Sequence, residues 1–275
     1  MNRAGLRRVL SIAGSDSGGG AGIQADLKTF SSHRVYGMTV VTALTAQNTL
    51  GVQGVHPVPP GFVVAQMDSV FSDLGVDAIK IGMLASAAIV RSVARSLGDW
   101  LPRLGHPPVV LDPVMVAQSG DRLLDDDAVA AIRELLLPLA TLLTPNLPEA
   151  SRLLDLPVAS EEEQASAARA LARRVPGLWV LVKGGHRPEG ELVDVVAGPE
   201  GEVRFAHQRI ATRSTHGTGC TLSSAIAARM ALGAGVLEAI GGAIDYLERA
   251  LTAAPTLGHG QGPVDHLVDG FPGAE

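Results

Sequence analysis

The chain has a single cysteine, Cys220, and it stands in Ser214-Thr215-His216-Gly217-Thr218-Gly219-Cys220-Thr221. This small, glycine-rich stretch runs directly into Leu222 to Leu232, an alanine-rich apolar segment with no proline and no glycine before Gly233. Such a segment reads as a buried helix. The first N–H groups of a helix have no intrahelical partner, its dipole adds positive charge in front of them, and glycines let a ligand approach the backbone. Phosphate is the usual occupant of that arrangement. An ordinary glycine turn before a core helix is the alternative reading. A thiol at a helix N-terminus can become a thiolate, whereas a lone cysteine is otherwise a small buried hydrophobe. Phosphoryl transfer to an alcohol needs a group near the hydroxyl and positive charge around the phosphoryl. Gly217, Thr218, Gly219 and Cys220 could supply both.

Other reactive residue types fall at the ends of apolar runs. Asp112 follows Val109-Val110-Leu111, Lys183 follows Val180-Leu181-Val182 and precedes two glycines, and Asn146 and Glu149 flank Leu147-Pro148. Asp16 and Gln47 end two further runs. Asp112 and Glu149 are candidate magnesium-side carboxylates, because magnesium favours a few carboxylates completed by water and substrate phosphate. A water-mediated contact is preferred over a direct one. Helix capping is the competing role for Glu149, in the first turn after a proline. Lys183 suits a phosphate contact, with an ordinary solvated lysine as the alternative. His216 could be a base or a hydrogen-bonding turn residue and is left unassigned.

The elements that must position these groups alternate along the chain. Arg8 to Ala13 predicts a strand, Gly14 to Gly22 a glycine loop, and Ile23 to Phe30 a helix carrying Asp26: the opening of a βα unit. The loop is neither a Walker A nor a dinucleotide fingerprint. Tyr36 to Asn48 predicts a strand, and the prolines near Val52 to Pro59 restrict that segment to a sheet edge. Helices are expected over Pro60–Leu74, Ser86–Leu101 (capped by Ser86), Asp125–Leu137, Glu161–Arg174 and Val236–Thr252. Strands are expected over Asp77–Gly82, Val109–Met115 and Leu178–Val182, with a hairpin around Gly198-Pro199-Glu200-Gly201. A tail over 258–275, rich in glycine and proline, is expected to pack loosely. Repeated strand–loop–helix units without a linker predict one domain over 1–275, an α/β fold with a single doubly wound, mostly parallel sheet and helices on both faces. Ligands of such sheets bind at the C-terminal edge of the strands, where Asp16, Gln47, Asp112, Asn146 and Lys183 all fall.

Composition narrows the partners. With 275 residues, 46% of them hydrophobic, the chain can bury a sizeable core. A net charge of −6 with only five Phe, two Trp and two Tyr offers no basic patch or stacking platform for nucleic acid. One cysteine excludes an intrachain disulfide and a cysteine-rich metal site. The apolar run behind Arg3, Arg7 and Arg8 is too short for a signal-peptide core or a membrane span, so a cytoplasmic protein without a membrane partner is expected.

Seven segments together carry a resemblance. Ser11 to Phe30, Ala46-Gln47-Asn48-Thr49, Lys80-Ile81-Gly82-Met83-Leu84, Leu111-Asp112-Pro113-Val114-Met115, Thr144 to Ala150, Val182 to His186 and Thr215 to Thr221 resemble the hydroxymethylpyrimidine/phosphomethylpyrimidine kinases of the ribokinase-like superfamily. The likeness runs in order from about residue 8 to residue 265. It departs at Ser17-Gly18 and in the family's variable 187–205 hairpin. The resemblance implies a ribokinase-like fold and an enzyme of thiamine biosynthesis that uses ATP and Mg2+. Its substrate would be a small molecule, 4-amino-5-hydroxymethyl-2-methylpyrimidine, converted to the monophosphate and then the diphosphate. By matching positions, Asp26 and Gln47 would hold the pyrimidine, with Gly14, Gly22 and Val114 around it. Gly217, Thr218, Gly219 and Cys220 would form the anion hole, Cys220 in the place of the aspartate base of sugar kinases. Lys183, Asn146 and Thr215 would meet the nucleotide, and Asp112 and Glu149 the metal. Residues 117–122 match a flap, and a homodimer is expected. Two rivals are a pyridoxal/pyridoxine kinase of the same superfamily, against which Gln47 discriminates, and a ligand-sensing relative without catalysis, against which Lys183, Cys220 and Glu149 argue.

Overall fold

The computed structural model describes residues 5–116, 124–185 and 192–270. Their strands share one sheet in the order β3-β2-β1-β4-β5-β6-β7-β8-β9. These are β1 (Arg8–Asp16), β2 (Tyr36–Asn48), β3 (Gly51–Pro57), β4 (Ala78–Ile81), β5 (Val109–Leu111), β6 (Leu142–Leu143), β7 (Trp179–Val182), β8 (Leu192–Gly198) and β9 (Gly201–His207). The pairings from β2 through β7 are parallel. The edges β3, β8 and β9 are antiparallel. The chain leaves β1 toward β2 and returns to β4 on the other side, which makes the β1/β4 boundary a topological switch point.

Strand periodicity sorts the core into two layers. Leu10, Ile12, Ile79, Ile81, Val109 and Leu111 pack on one face. That face is covered by α2 (Pro60–Asp73), α3 (Ala87–Trp100), α4 (Asp126–Ala131), α5 (Leu147–Leu154) and α6 (Glu161–Ala172). Val9, Ala78, Val110 and Leu181 pack on the other, against α1 (Gly22–Ser32), α7 (Thr218–Ala231) and α8 (Val236–Thr252). The same alternation turns Ser11 and Lys80, which are register partners, toward the α1–α7 layer.

Four expectations are corrected. The strand at Val109 stops at Leu111, since Pro113 has no N–H for the ladder. The helix from Asp125 is α4 followed by a π turn, Ile132–Leu136, and a 3-10 turn, Leu137–Leu139, because Pro138 interrupts the α-helical bonding. The helix after the anion-hole stretch starts at Thr218, so Cys220 lies inside its first turn. The tail through Gly270 is packed: Val264 and His266 are buried. Asp265 donates its N–H to Ala250 O at 3.0 Å, and the Tyr246 hydroxyl donates to His266 O at 2.6 Å.

Candidate active site

One cavity of about 380 Å3 opens at the C-terminal ends of the parallel strands. Asp16, Gln47, Asp112, Asn146, Glu149, Lys183, Val114, Thr215 and Gly217 to Cys220 line it, with Gly14 and Gly22. The strand-end residues of β1, β2, β5, β6 and β7 therefore do converge.

Two loops interlock to shape its middle. Asp16 accepts N–H bonds from Gly18 at 2.8 Å, Gly20 at 3.0 Å and Ala21 at 2.8 Å. His216 Nε2 lies 2.8 Å from its Oδ2. Burial opposes ionisation of Asp16, but the His216 contact and the backbone N–H groups outweigh it and hold the carboxyl below its ordinary value. His216, left open by sequence, is thus the strut between the two loops. Gly217 has φ +80° and a Cβ there would sit 1.8 Å from Gly20 O. Only glycine permits that turn and that approach.

Behind Gly217, α7 presents its first N–H groups to the cavity, free of intrahelical acceptors. Cys220 is the third residue of this helix. Its thiol is pushed up to about 11, first by burial and then by Asp26 and Asp112, against the lowering influence of Lys80 and of the Gly22 N–H. The thiolate favoured by the helix terminus is thereby overturned as the resting form: burial exceeds the dipole.

Lys183 Nζ donates to Asp112 Oδ1 at 3.1 Å, and a Cβ on Gly219 would lie 3.4 Å from Nζ. The ammonium therefore sits beside the anion-hole turn. Burial works to discharge it, but Asp112 and Glu149 hold its affinity for the proton above the ordinary value. Asp112 also accepts from Thr144 Oγ1 at 3.2 Å and from Ser223 Oγ at 3.3 Å. Asn146 and Glu149 form a capping box at the start of α5, with Asn146 N–H to Glu149 Oε2 at 2.8 Å and Glu149 N–H to Asn146 Oδ1 at 2.9 Å. Burial pushes the Glu149 carboxyl up to about 7, Lys183 opposing and Asp112 adding to it.

Gln47 caps the opposite end. Its backbone is latched to Ser17 through the N–H and the carbonyl, at 2.9 and 2.8 Å. Its side-chain oxygen accepts from Thr45 Oγ1 at 3.1 Å.

Asp26 does not reach the cavity, which corrects its expected place on the pyrimidine. It is fully buried. Both its oxygens lie 2.9 Å from Lys80 Nζ, and it accepts from Ser11 Oγ at 2.5 Å and Ser224 Oγ at 2.7 Å. The flap expected over 117–122 lies outside the described residues. Two features escaped the sequence reading. Lys80 is one, although a lysine between Ile79 and Ile81 in a buried strand demands a buried carboxylate. The other is an apolar slot of Leu192, Ile210, Ile244, Leu247 and Leu251 that continues the cavity past Lys183. Its residues come from β8, the segment after β9, and α8, and no local spacing announces that meeting. Among the described residues no cluster of three or more metal-ligating side chains occurs, and no helix is long and apolar enough to cross a membrane.

The chain as a whole has known counterparts. The family model for phosphomethylpyrimidine kinase matches residues 16–265. The hydroxymethylpyrimidine/phosphomethylpyrimidine kinase of Escherichia coli is 52% identical over 267 residues, 95% of this chain and 98% of that one. The thiamine biosynthesis bifunctional protein ThiED of Geobacter sulfurreducens is 50% identical over 260 residues, 94% of this chain but 52% of its own length. A crystal structure of an ADP complex of Bacillus subtilis pyridoxal kinase superimposes with a TM-score of 0.87 at 37% identity, covering 96% of this chain and 98% of that one. Fold and sequence agree over nearly the whole length: the chain belongs to the phosphomethylpyrimidine kinase family, with a ribokinase-like α/β fold.

Proposed function

We propose that this protein transfers the γ-phosphoryl of ATP to the hydroxymethyl group of 4-amino-5-hydroxymethyl-2-methylpyrimidine, and then phosphorylates the monophosphate to the diphosphate. The observation that carries this is the continuity of one cavity from Gln47, past Gly217 to Cys220 and Lys183, to the apolar slot on α8. An acceptor ring fits the Gln47 end, between Gly14, Gly22 and Val114. The amide offers both a donor and an acceptor to an aminopyrimidine edge. The apolar slot fits the flat face of a nucleobase, and the ADP complex of the pyridoxal kinase relative supports a nucleotide as the phosphoryl donor. Asn146 and Thr215 border the path between them. The Gly217 to Cys220 turn and Lys183 meet the transferring phosphoryl between the two ends, where fixed N–H dipoles and an ammonium stabilise developing charge. The acceptor hydroxyl, directed at α7, faces Cys220.

The donor set fits magnesium. Asp112 and Glu149 are two hard carboxylates beside Lys183, and a magnesium ion takes its remaining ligands from phosphate and water. Asp112 and Glu149 would hold it, Glu149 through water since Oε2 already caps α5. When bound, the ion neutralises phosphate charge. Glu149→Gln is expected to raise the half-saturating magnesium concentration about 10-fold, the usual cost of an outer-sphere partner, and to leave the pyrimidine KM within about twofold. With the carboxyl near 7 in the wild type, the magnesium requirement should ease as pH rises through that value, because the ionised form gains weight. The variant should lose this dependence. An unaltered magnesium titration would leave Glu149 a helix cap and nothing more.

Gln47→Met is expected to weaken discrimination for the pyrimidine by about 1–3 kcal/mol, the cost of leaving a buried polar partner unmade, and to let pyridoxal compete. Equal discrimination in variant and wild type would show that Gln47 does not read the ring. The homodimer expected from the resemblance finds support in Leu44, Leu50 and Val55, exposed along the β2–β3 edge. Sedimentation at micromolar concentration checks it.

The direct test of the activity is incubation with ATP, Mg2+ and the hydroxymethylpyrimidine, followed by mass spectrometry. Mono- and then diphosphate are expected. Faster phosphorylation of pyridoxal in a parallel reaction would reassign the substrate, and no product from either would leave a ligand-sensing protein.

A further inference from the structure

Beneath the proposed site lies a set of buried groups that the chemistry above does not use. Lys80 of β4 and Asp26 of α1 form an ion pair in which both side chains are wholly excluded from solvent. Asp26 takes further bonds from Ser11 of β1 and Ser224 of α7. A pair of this kind gives little net stability relative to apolar residues of the same volume, so its retention calls for another account.

Its connections run to the reacting turn. Ser224 lies four residues beyond Cys220 and therefore on the same face of α7. Its neighbour Ser223 donates to Asp112, which faces the cavity. Ser224 thus moors α7 to the carboxylate below the site at 2.7 Å, while Ser223, whose hydroxyl is nearest Gly219 O at 2.9 Å, adds a longer contact of 3.3 Å to the one in it. The other mooring comes from α1, whose first residue, Gly22, directs its N–H at the Cys220 sulfur. Asp26 sits one turn further along that helix. A movement of α1 against α7 would then displace the thiol, the anion-hole N–H groups and the Lys183 contact together.

We propose that the Asp26–Lys80 pair, through Ser224, is a positioning unit for Cys220 and the first turn of α7. It ties α7 to three elements at once, β1, β4 and α1, and sets the charge behind the thiol without adding net charge. The charged groups whose field reaches Cys220 are Lys80 from β4, Asp26 from α1, Asp112 after β5 and Lys183 after β7. The importance of that turn for turnover rests on the kinase reading; the placement of the thiol does not.

Ser224→Ala removes one link and suits an alanine-rich helix. Asp26→Asn keeps the shape and removes the charge. Because Cys220 is the only thiol, the pH dependence of its alkylation by iodoacetamide in the absence of substrates reports its position and field directly. Kinase assays with the hydroxymethylpyrimidine give kcat and KM, and equilibrium denaturation gives stability. Ser224→Ala is expected to lower kcat about 10-fold with KM within about twofold, the pattern of an interaction felt in the transition state. In at least one of the two variants the alkylation midpoint should move by more than about half a pH unit. Midpoints unchanged in both variants, or kcat unchanged in both, would overturn the proposal and leave the pair a purely structural feature, whatever the loss of stability. A wild-type protein without kinase activity would refute the kinase reading instead, and the alkylation profiles would still decide whether the pair places the thiol.

Discussion

Replacing Lys80 by methionine is expected to destabilise the protein by about 3–5 kcal/mol, the range for removing one partner of a buried ion pair. The loss comes less from the Coulomb attraction than from what remains. Asp26 is fully buried, and after the substitution its charge is met only by the hydroxyls of Ser11 and Ser224. Urea unfolding should show the lower midpoint with an unchanged slope, since the surface exposed on unfolding is the same. The double variant Lys80→Met with Asp26→Leu should recover most of the loss, because no buried charge is left without a partner. Equal stabilities of the single and double variants would show that the pair is not the source. The pH dependence has a definite sign. Burial works to lower the Lys80 proton affinity, yet Asp26 raises it above the ordinary 10.5. Stability from this group is therefore complete below that pH and is lost only as pH climbs toward the higher folded value. Between pH 6 and 9 the contribution of Lys80 to wild-type stability should therefore be constant.

Lys80 also marks what the sequence conceals. The continuous apolar run Val109-Val110-Leu111 reads as a strand buried on both faces, and with it the parallel centre of the sheet. The alternation of Leu10-Ser11-Ile12 and Ile79-Lys80-Ile81 would by itself put Ser11 and Lys80 on a polar face, whereas both are buried. The Ser86 cap was equally legible, since its side chain accepts from the third residue of its helix, whereas Asp125, expected as the first helical residue, is itself the cap of α4. The convergence of Asp16, Gln47, Asp112, Asn146 and Lys183 followed from the rule that ligands meet the C-terminal edge of parallel strands. What did not follow was depth. Asp26 and Asp112 are both carboxylates adjoining apolar runs, yet one lies in the cavity and one beneath it. That difference is set by a lysine on another strand. Nor could composition show that the segment from 258 is held down, since its anchors, Thr49, Ala250 and Tyr246, are distant in sequence. The nucleobase slot has the same origin: five aliphatic residues from three elements that meet only after folding.

The depth of Cys220 governs the second large effect. Cys220→Ala is expected to lower turnover by about 10²-fold, at the weak end of the 10²–10⁴ range for a positioned acid–base group. The weak end is appropriate because burial pushes the thiol up to about 11. At neutral pH it carries its proton, and only a small thiolate fraction can accept one from the substrate hydroxyl. The rate should therefore rise with pH, roughly tenfold per unit, toward that value, and Cys220→Ala should abolish the rise. Iodoacetamide should modify the wild-type protein slowly at pH 7 and faster as pH increases, inactivating it, with bound pyrimidine protecting. ATP binding should survive the substitution, since the α7 N–H groups and Lys183 remain. The competing account makes Cys220 a packing residue and assigns the rate to the anion hole, Lys183 and the metal alone. A loose transition state, in which the hydroxyl proton departs late, lends it physical sense. It requires Cys220→Ala and Cys220→Ser both to turn over near the wild-type rate, with the wild-type pH profile unchanged by either substitution. The two accounts diverge most at pH 9, where a thiol base should have gained about two orders of magnitude over pH 7 and a packing residue nothing. Comparing wild type with Cys220→Ala at that pH therefore separates proton transfer from electrostatics at this turn.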